Sequence, residues 1–359
     1  MAADLSEVVC LHLADLYSNY ASDSDSGEGG PLRNPGDAPD PRPRSEDIHT
    51  AIKKAFLELD DILVNEAAKR ALDLSDKDYQ TLNKGKELPV STESSDKPSS
   101  VTTLSRSQKM KMLAESYSGS CAILGIYDNA QRALHVALTG DLRAVLGRRV
   151  IAPKEEMSGN APTNHKPGYI YEVHQLSFDQ KASNPKEAER LTALHPDEPD
   201  LLKDNRVLGW GPARAFGDGI MKWSLAIRNR LCAEYLADWP KAETYKTPPY
   251  FTAEPEVTTL EKVRRGDFLV LASDGLWDVL TNEEVIGLVG KWVEQWGRKE
   301  RVMVDGEEME VLMPRKIYPG TTIGISRKGQ DIVDSLGAQM KRQAFHTYSP
   351  FPCNYNLFP

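Results

Sequence analysis

The sequence predicts an α+β fold built on antiparallel strands. Three observations carry this expectation. An apolar repeat at helical spacing starts at Ile48, three strand-like segments follow one another between Cys121 and Ile151, and a buried strand leads into an amphipathic helix between Asp267 and Trp296. At 359 residues, 40% hydrophobic and 27% charged, the chain can form one large globular domain or two small ones.

The elements follow in chain order. Residues 1–47 read as a disordered or atypical N-terminal segment; Ala21 to Arg44 is rich in Ser, Asp, Gly and Pro and cannot bury enough apolar surface to offset its ordering entropy. Ile48, Ile52, Phe56, Leu59, Leu63, Ala67 and Ala71 then define one face of a helix, with Ser45 and Asp47 as candidate caps. Residues 84–107, rich in Ser, Thr and Lys with Pro89 and Pro98, read as a loop insertion. Cys121–Tyr127 and Leu134–Thr139 are strands joined by a turn around Asp128-Asn129, and Arg143–Ile151 continues the meander. Asn184–His195 is a helix with Pro185 at its start. Asp267–Ser273 is a nearly continuous apolar strand, and a loop from Asp274 to Asp278 separates it from a helix over Asn282–Trp296. Residues 298–359 show a different character and are expected to lie outside the packed domain. No internal repeat is present.

Composition excludes several functions. A net charge of -9 and a pI near 5.4 argue against nucleic-acid binding, which needs a basic face to neutralise phosphates. Cys10, Cys121, Cys232 and Cys353 lie far apart and suggest neither a zinc site nor a disulfide framework, so a reducing compartment is the default. No apolar run reaches the roughly 20 residues of a transmembrane helix. Met1–Tyr20 holds Asp4, Glu7 and Asp15 and no Lys or Arg, which does not read as a secretory or mitochondrial leader. Gly209-Trp210-Gly211 is no phosphate-binding fingerprint, so kinase and dinucleotide-binding functions lack support.

The sharpest chemical signal is Ser273-Asp274-Gly275-Leu276-Trp277-Asp278, directly after the apolar strand. An Asp at a strand end is held rigidly, and Gly275 lets a ligand approach the backbone closely. The same residues also suit a turn at Asp274 and a helix cap at Asp278, and the local pattern alone favours that structural alternative. Asp141, in Gly140-Asp141-Leu142-Arg143, is a candidate ligand or a partner for Arg143 or another arginine. Asp218, in Arg214-Ala215-Phe216-Gly217-Asp218-Gly219, is a candidate ligand or a turn residue. Several acids at strand ends suit Mg2+ or Mn2+, which prefer carboxylate and water oxygens. His174 and His195 lack metal-ligand spacing and read as structural.

Taken in order, these motifs resemble the metal-dependent (type 2C, PPM-type) protein phosphatase family. Gly119-Ser120-Cys121-Ala122 is similar to its Gly-Ser-Thr-Ala, Gly140–Ala144 to its Gly-Asp-Ser-Arg-Ala, Arg214–Asp218 to its Arg-Ala-Phe-Gly-Asp, and Leu271–Asp278 to its Leu-Ala-Ser-Asp-Gly-Leu-Trp-Asp. Leu176–Pro196, Arg206–Trp223 and Lys246–Pro255 resemble the pyruvate dehydrogenase phosphatase branch and its fungal relatives. The resemblance spans residues 48–297 and implies an α-β-β-α sandwich, two antiparallel sheets flanked by helices and incomplete at both ends. It implies Mg2+ or Mn2+ in a two-metal site and hydrolysis of phosphoserine or phosphothreonine by a metal-bound water, so no side chain is assigned as the catalytic nucleophile. By motif, Asp274 corresponds to a core metal ligand, and Asp141 and Asp278 to an additional, weaker position. Asp218, Arg214 and Gly275 correspond to supporting residues. The substrate implied is a phosphoprotein such as the pyruvate dehydrogenase E1 alpha subunit. The location implied is the mitochondrion, while the sequence alone leaves the cytoplasm open.

The departures are specific. Nothing in residues 1–47 matches the family's Arg-x-x-x-Glu-Asp or Asp-Gly-His-Gly-Gly, and no closing Asp-Asp or Asp-Asn strand follows Trp296. Of the core carboxylates only Asp274 is visible, so little or no metal-dependent activity is expected of this polypeptide alone. Two readings follow: a phosphatase whose sequence here is truncated or mis-assembled at both ends, or a pseudophosphatase that binds a partner without hydrolysis.

Overall fold

The computed structural model describes residues 2–25, 42–86, 104–151, 169–235, 245–296, 298–304 and 307–313. Its longer helices are α1 (Ala2–Asp25), α2 (Ser45–Asp61), which continues through a π turn at Ile62–Glu66 into α3 (Ala67–Ala71), α4 (Asp76–Asn83), α5 (Arg106–Tyr117), α6 (Pro185–Leu194) and α7 (Leu225–Tyr235). The one-turn helix α8 (Asp274–Trp277) and α9 (Asn282–Trp296) follow. Two three-stranded antiparallel sheets form the centre. One has the order β2 (Ala122–Asp128), β3 (Ala133–Thr139), β9 (Glu256–Leu260); the other has β10 (Phe268–Ala272), β4 (Arg143–Ile151), β5 (Tyr169–Gln175). Short pairs join β1 (Gly119–Ser120) to β8 (Phe216–Gly217) and β6 (Leu202–Lys203) to β7 (Arg206–Val207). β11 (Arg298–Val304) and β12 (Glu307–Met313) form a hairpin.

Strand alternation builds four layers. Leu134 and Val136 of β3 point between the sheets and meet Ala144 and Leu146 of β4, while Ala137 turns outward onto Ile52, Phe56 and Leu59 of α2. Val145 and Val270 leave the second sheet on its other face and pack on Leu276, Val285 and Ile286. The result is helix, sheet, sheet, helix, as the family resemblance implies. A lateral core holds α3, α4, α5 and α7 together through Ala68, Leu82, Leu113 and Ile227. The π turn widens the backbone there, and its carbonyls find outside donors: Ser116 Oγ bonds Leu63 O at 2.6 Å and Trp223 Nε1 bonds Val64 O at 3.2 Å.

Several expectations change. Residues 1–47 contain a packed helix: Leu5 and Val9 of α1 are buried against α2, and Tyr20 Oη donates to Asp47 at 2.5 Å. Their spacing with Leu13 and Leu16 is helical, so the aliphatic repeat decides in spite of the acids between. The disordered reading of Ala21–Arg44 falls largely on residues outside the described ones, as does most of the 84–107 loop. That loop ends early, because Ser105 and Gln108 form a capping box at the start of α5. Ser45 and Asp47 lie within α2, where Arg44 occupies the N-cap position. The hairpin β11–β12 follows Trp296, where no element was expected; Asp305-Gly306 between its arms is a two-residue hairpin signal in the sequence.

Candidate functional site

Two of the proposed carboxylates leave neighbouring strands at one end of a sheet. Ala272 of β10 pairs with Arg143 of β4 in antiparallel register, so Asp274, two residues beyond, and Asp141, two residues before, emerge side by side in sequence register. Asp274 opens α8 and accepts the Gly275 N–H at 2.8 Å through Oδ1. The expected loop from Asp274 to Asp278 is thus one helical turn. Asp278 closes it, its N–H bonded to Asp274 O at 2.7 Å, and lines a cavity of ≈ 350 Å³ with Arg143, Trp277 and Glu283. Asp278 does not cap α9; Thr281 does, exchanging bonds with Glu284 at 2.8 and 3.2 Å.

Arg143 fixes this corner. Its guanidinium makes a bidentate pair with Asp179 (2.8 and 2.8 Å), donates to Asn282 Oδ1 at 3.0 Å and lies 5.3 Å above the Trp277 ring. It therefore ties β4, α8 and α9 together rather than pairing with Asp141. Asp141 instead accepts the Cys121 thiol at 3.1 Å, and Lys181 Nζ stands 3.9 Å from its other oxygen. Burial raises the Cys121 pKa to about 12, so this sulfur is a donor and not a thiolate ligand.

Asp218 belongs to the same neighbourhood and is the most strained group in it. Its backbone is left-handed (φ 45°) and the residue is buried, 5% exposed. It rests on Gly119, where a β-carbon would lie 2.0 Å from Oδ2. Desolvation raises its pKa to about 6, which Lys222 opposes and Asp60 reinforces. A folded-state pKa above the unfolded value means that stability present below about pH 4 is lost as pH rises through 6. Asp218→Asn is therefore expected to raise stability by on the order of 1–3 kcal/mol at pH 7. Urea denaturation at pH 7 and pH 4 checks this, since the two proteins should converge at the lower pH.

Arg214 and His195 hold structure. Arg214 grips Glu187 of α6 through Nε (3.0 and 3.1 Å) and Nη2 (2.5 Å) and donates to Glu254 O at 2.8 Å. His195 bonds Thr247 at 2.8 Å and stacks on Tyr250. Sequence reasoning passed over Asp60 and Lys222. Lys222 Nζ reaches both Asp60 oxygens at 2.6 Å and Ala215 O at 2.7 Å, and Asp60 also accepts the Gly217 N–H at 2.9 Å. The available signal was an acid at the next position of the stripe Ile48, Ile52, Phe56.

This donor set does not fit a two-cation centre. Each cation needs about six oxygen ligands, yet among the described residues no three His, Cys, Asp or Glu side chains come together to hold a metal. Asp141 is already engaged by a thiol and faces an ammonium.

The chain belongs to the protein phosphatase 2C family, which residues 44–307 match. A protein phosphatase 2C homologue of Schizosaccharomyces pombe is 42% identical over 51% of this chain and 37% of its own length. Mitochondrial [pyruvate dehydrogenase [acetyl-transferring]]-phosphatase 1 of Saccharomyces cerevisiae is 31% identical over 69% of this chain and 36% of its own length. The chain thus spans about a third of the length of these curated relatives. Among solved structures, a serine-threonine phosphatase 2C from Toxoplasma gondii aligns with a TM-score of 0.35 and 15% identity, covering 70% of this chain and 57% of that one.

Proposed function

We propose that the chain carries part of the catalytic domain of a metal-dependent phosphoserine/phosphothreonine phosphatase of the pyruvate dehydrogenase phosphatase branch. The observation that carries the reading is the register that brings Asp141 and Asp274 out at one sheet end, with Asp278 one helical turn further on. In this reading Asp274 contributes to the core pair of Mg2+ or Mn2+ ions and Asp141 and Asp278 to a weaker third position. The substrate is a phosphoprotein, the pyruvate dehydrogenase E1 alpha subunit being the first to try because a similar protein is a pyruvate dehydrogenase phosphatase. The same relatives support a mitochondrial location. No reaction step is assigned to the cations, because among the described residues no three carboxylate, imidazole or thiol side chains come together to hold one.

The purified chain is accordingly expected to release no phosphate from a phosphothreonine peptide in Mn2+. Clear turnover that disappears in Asp274→Asn would show that the site is complete as it stands. A second reading, a pseudophosphatase acting as a binding module, is favoured by the hold of Cys121 and Lys181 on Asp141. Saturable phosphopeptide binding without turnover supports it; absence of binding removes it.

A further inference from the structure

Two histidines and one hydroxyl meet where α2 lies on the first sheet. His49 of α2 and His135 of β3 both bond the Thr259 hydroxyl of β9, at 2.7 and 2.8 Å, and their rings stand edge to face at 5.9 Å. His135 is 1% exposed and its Nε2 has no hydrogen-bond partner. We propose that this His49–Thr259–His135 cluster is a proton-sensitive latch that holds the α1–α2 layer on the sheet when both imidazoles are neutral and releases it when they are charged.

Proton counting gives the reason. The hydroxyl has one hydrogen, so it donates to one imidazole and accepts from the other, and that needs one ring nitrogen bare and one protonated. Charging both rings turns both facing nitrogens into donors and leaves the hydroxyl hydrogen without an acceptor. It also places a charge on His135, where no water reaches, beside a second ring 5.9 Å away.

The surrounding charges do not offset this. Glu46 favours charged His49 and Lys53 disfavours it; Asp128, at the end of β2, favours charged His135. Lys53 is paired with Glu254 at 3.0 Å, and Asp128 already accepts from Tyr17 of α1 and from two backbone N–H groups. Desolvation is the largest influence on both rings and lowers both pKa values below 6.5. The sign follows: the unfolded chain takes up protons first as pH falls below about 6.5, so the stability is present above that pH and lost beneath it. The consequence reaches the candidate site, because the last turn of the same helix carries Asp60, which holds the Gly217 N–H and Lys222 beside Asp218.

The test is equilibrium urea denaturation of the full chain between pH 7.5 and 5, with His135→Leu and His49→Gln beside it. Each depressed histidine adds up to about a tenfold rise in the unfolding constant per unit fall in pH. Each variant is expected to remove part of the wild-type slope, and the difference between them is internal to one fold. His49→Gln, at a half-exposed position, keeps the test alive should His135→Leu fail to fold. Lower amide protection across α2 and at Gly217 below pH 6, measured against the intrinsic exchange rate at each pH and absent in His49→Gln, is the expected companion result. An unchanged pH slope in His49→Gln, or protection that stays constant between pH 7.5 and 5, overturns the proposal.

Discussion

Asp60→Ala is expected to destabilise the fold by about 3–5 kcal/mol, among the largest effects of any single side-chain truncation in this chain. The cause is not the loss of an attractive pair as such. Asp60 and Lys222 are both buried, and burial drives the Asp60 pKa up and the Lys222 pKa down, each toward its neutral form, against the pull of the opposite charge. Removing Asp60 leaves the ammonium with Ala215 O as its remaining partner and strips the Gly217 N–H of its acceptor. The double variant Asp60→Ala/Lys222→Met removes the stranded charge and is expected to regain most of the loss. Urea midpoints at pH 7 decide: a double variant no more stable than the single one contradicts the account.

Gly217→Ala is expected to cost more than about 4 kcal/mol, enough to prevent folding at ordinary temperature. Gly217 has φ +66°, which strains an L side chain, and a β-carbon would lie 2.0 Å from Ser118 O and 3.3 Å from Glu115 O. Those are backbone atoms at the end of α5 and cannot swing aside. Gly287→Ala supplies the contrast. Gly287 lies inside α9 with open space at its β-carbon, so the change is expected to stabilise by about 0.5–1 kcal/mol. Thermal melts of the two variants separate local geometry from any general intolerance of glycine replacement.

Much of the scaffold was legible because periodicity survives wherever a segment buries one face. The α2 stripe from Ile48, the three strands between Ala122 and Ile151 and the passage from Phe268 into α9 all lie where predicted, but the strands form no single meander: β3 pairs with β9, while β4 crosses to the second sheet between β10 and β5. The α1 helix escaped because three acids and a neighbouring Ser/Asp tract masked a short aliphatic repeat. The β11–β12 hairpin escaped because its arms, Arg298–Val304 and Glu307–Met313, open on runs of charge and lack a strict apolar–polar alternation. At the candidate site, residue types and strand ends could be read, but not neighbours. Nothing in the sequence ties Cys121 to Asp141, Arg143 to Asp179 or Asp60 to Lys222, since each contact joins segments 20 to 162 residues apart. The resemblance to the phosphatase family named the acids; the structure shows which of them are already occupied by other groups.

The most direct test of the central claim, that this chain has the phosphatase 2C scaffold but, among the described residues, too few converging carboxylates to hold two cations, is calorimetric titration of Mn2+ into the purified folded chain. The account predicts no pair of saturable sites and no change on Asp274→Asn. Two saturable sites that are lost together in Asp274→Asn would contradict it.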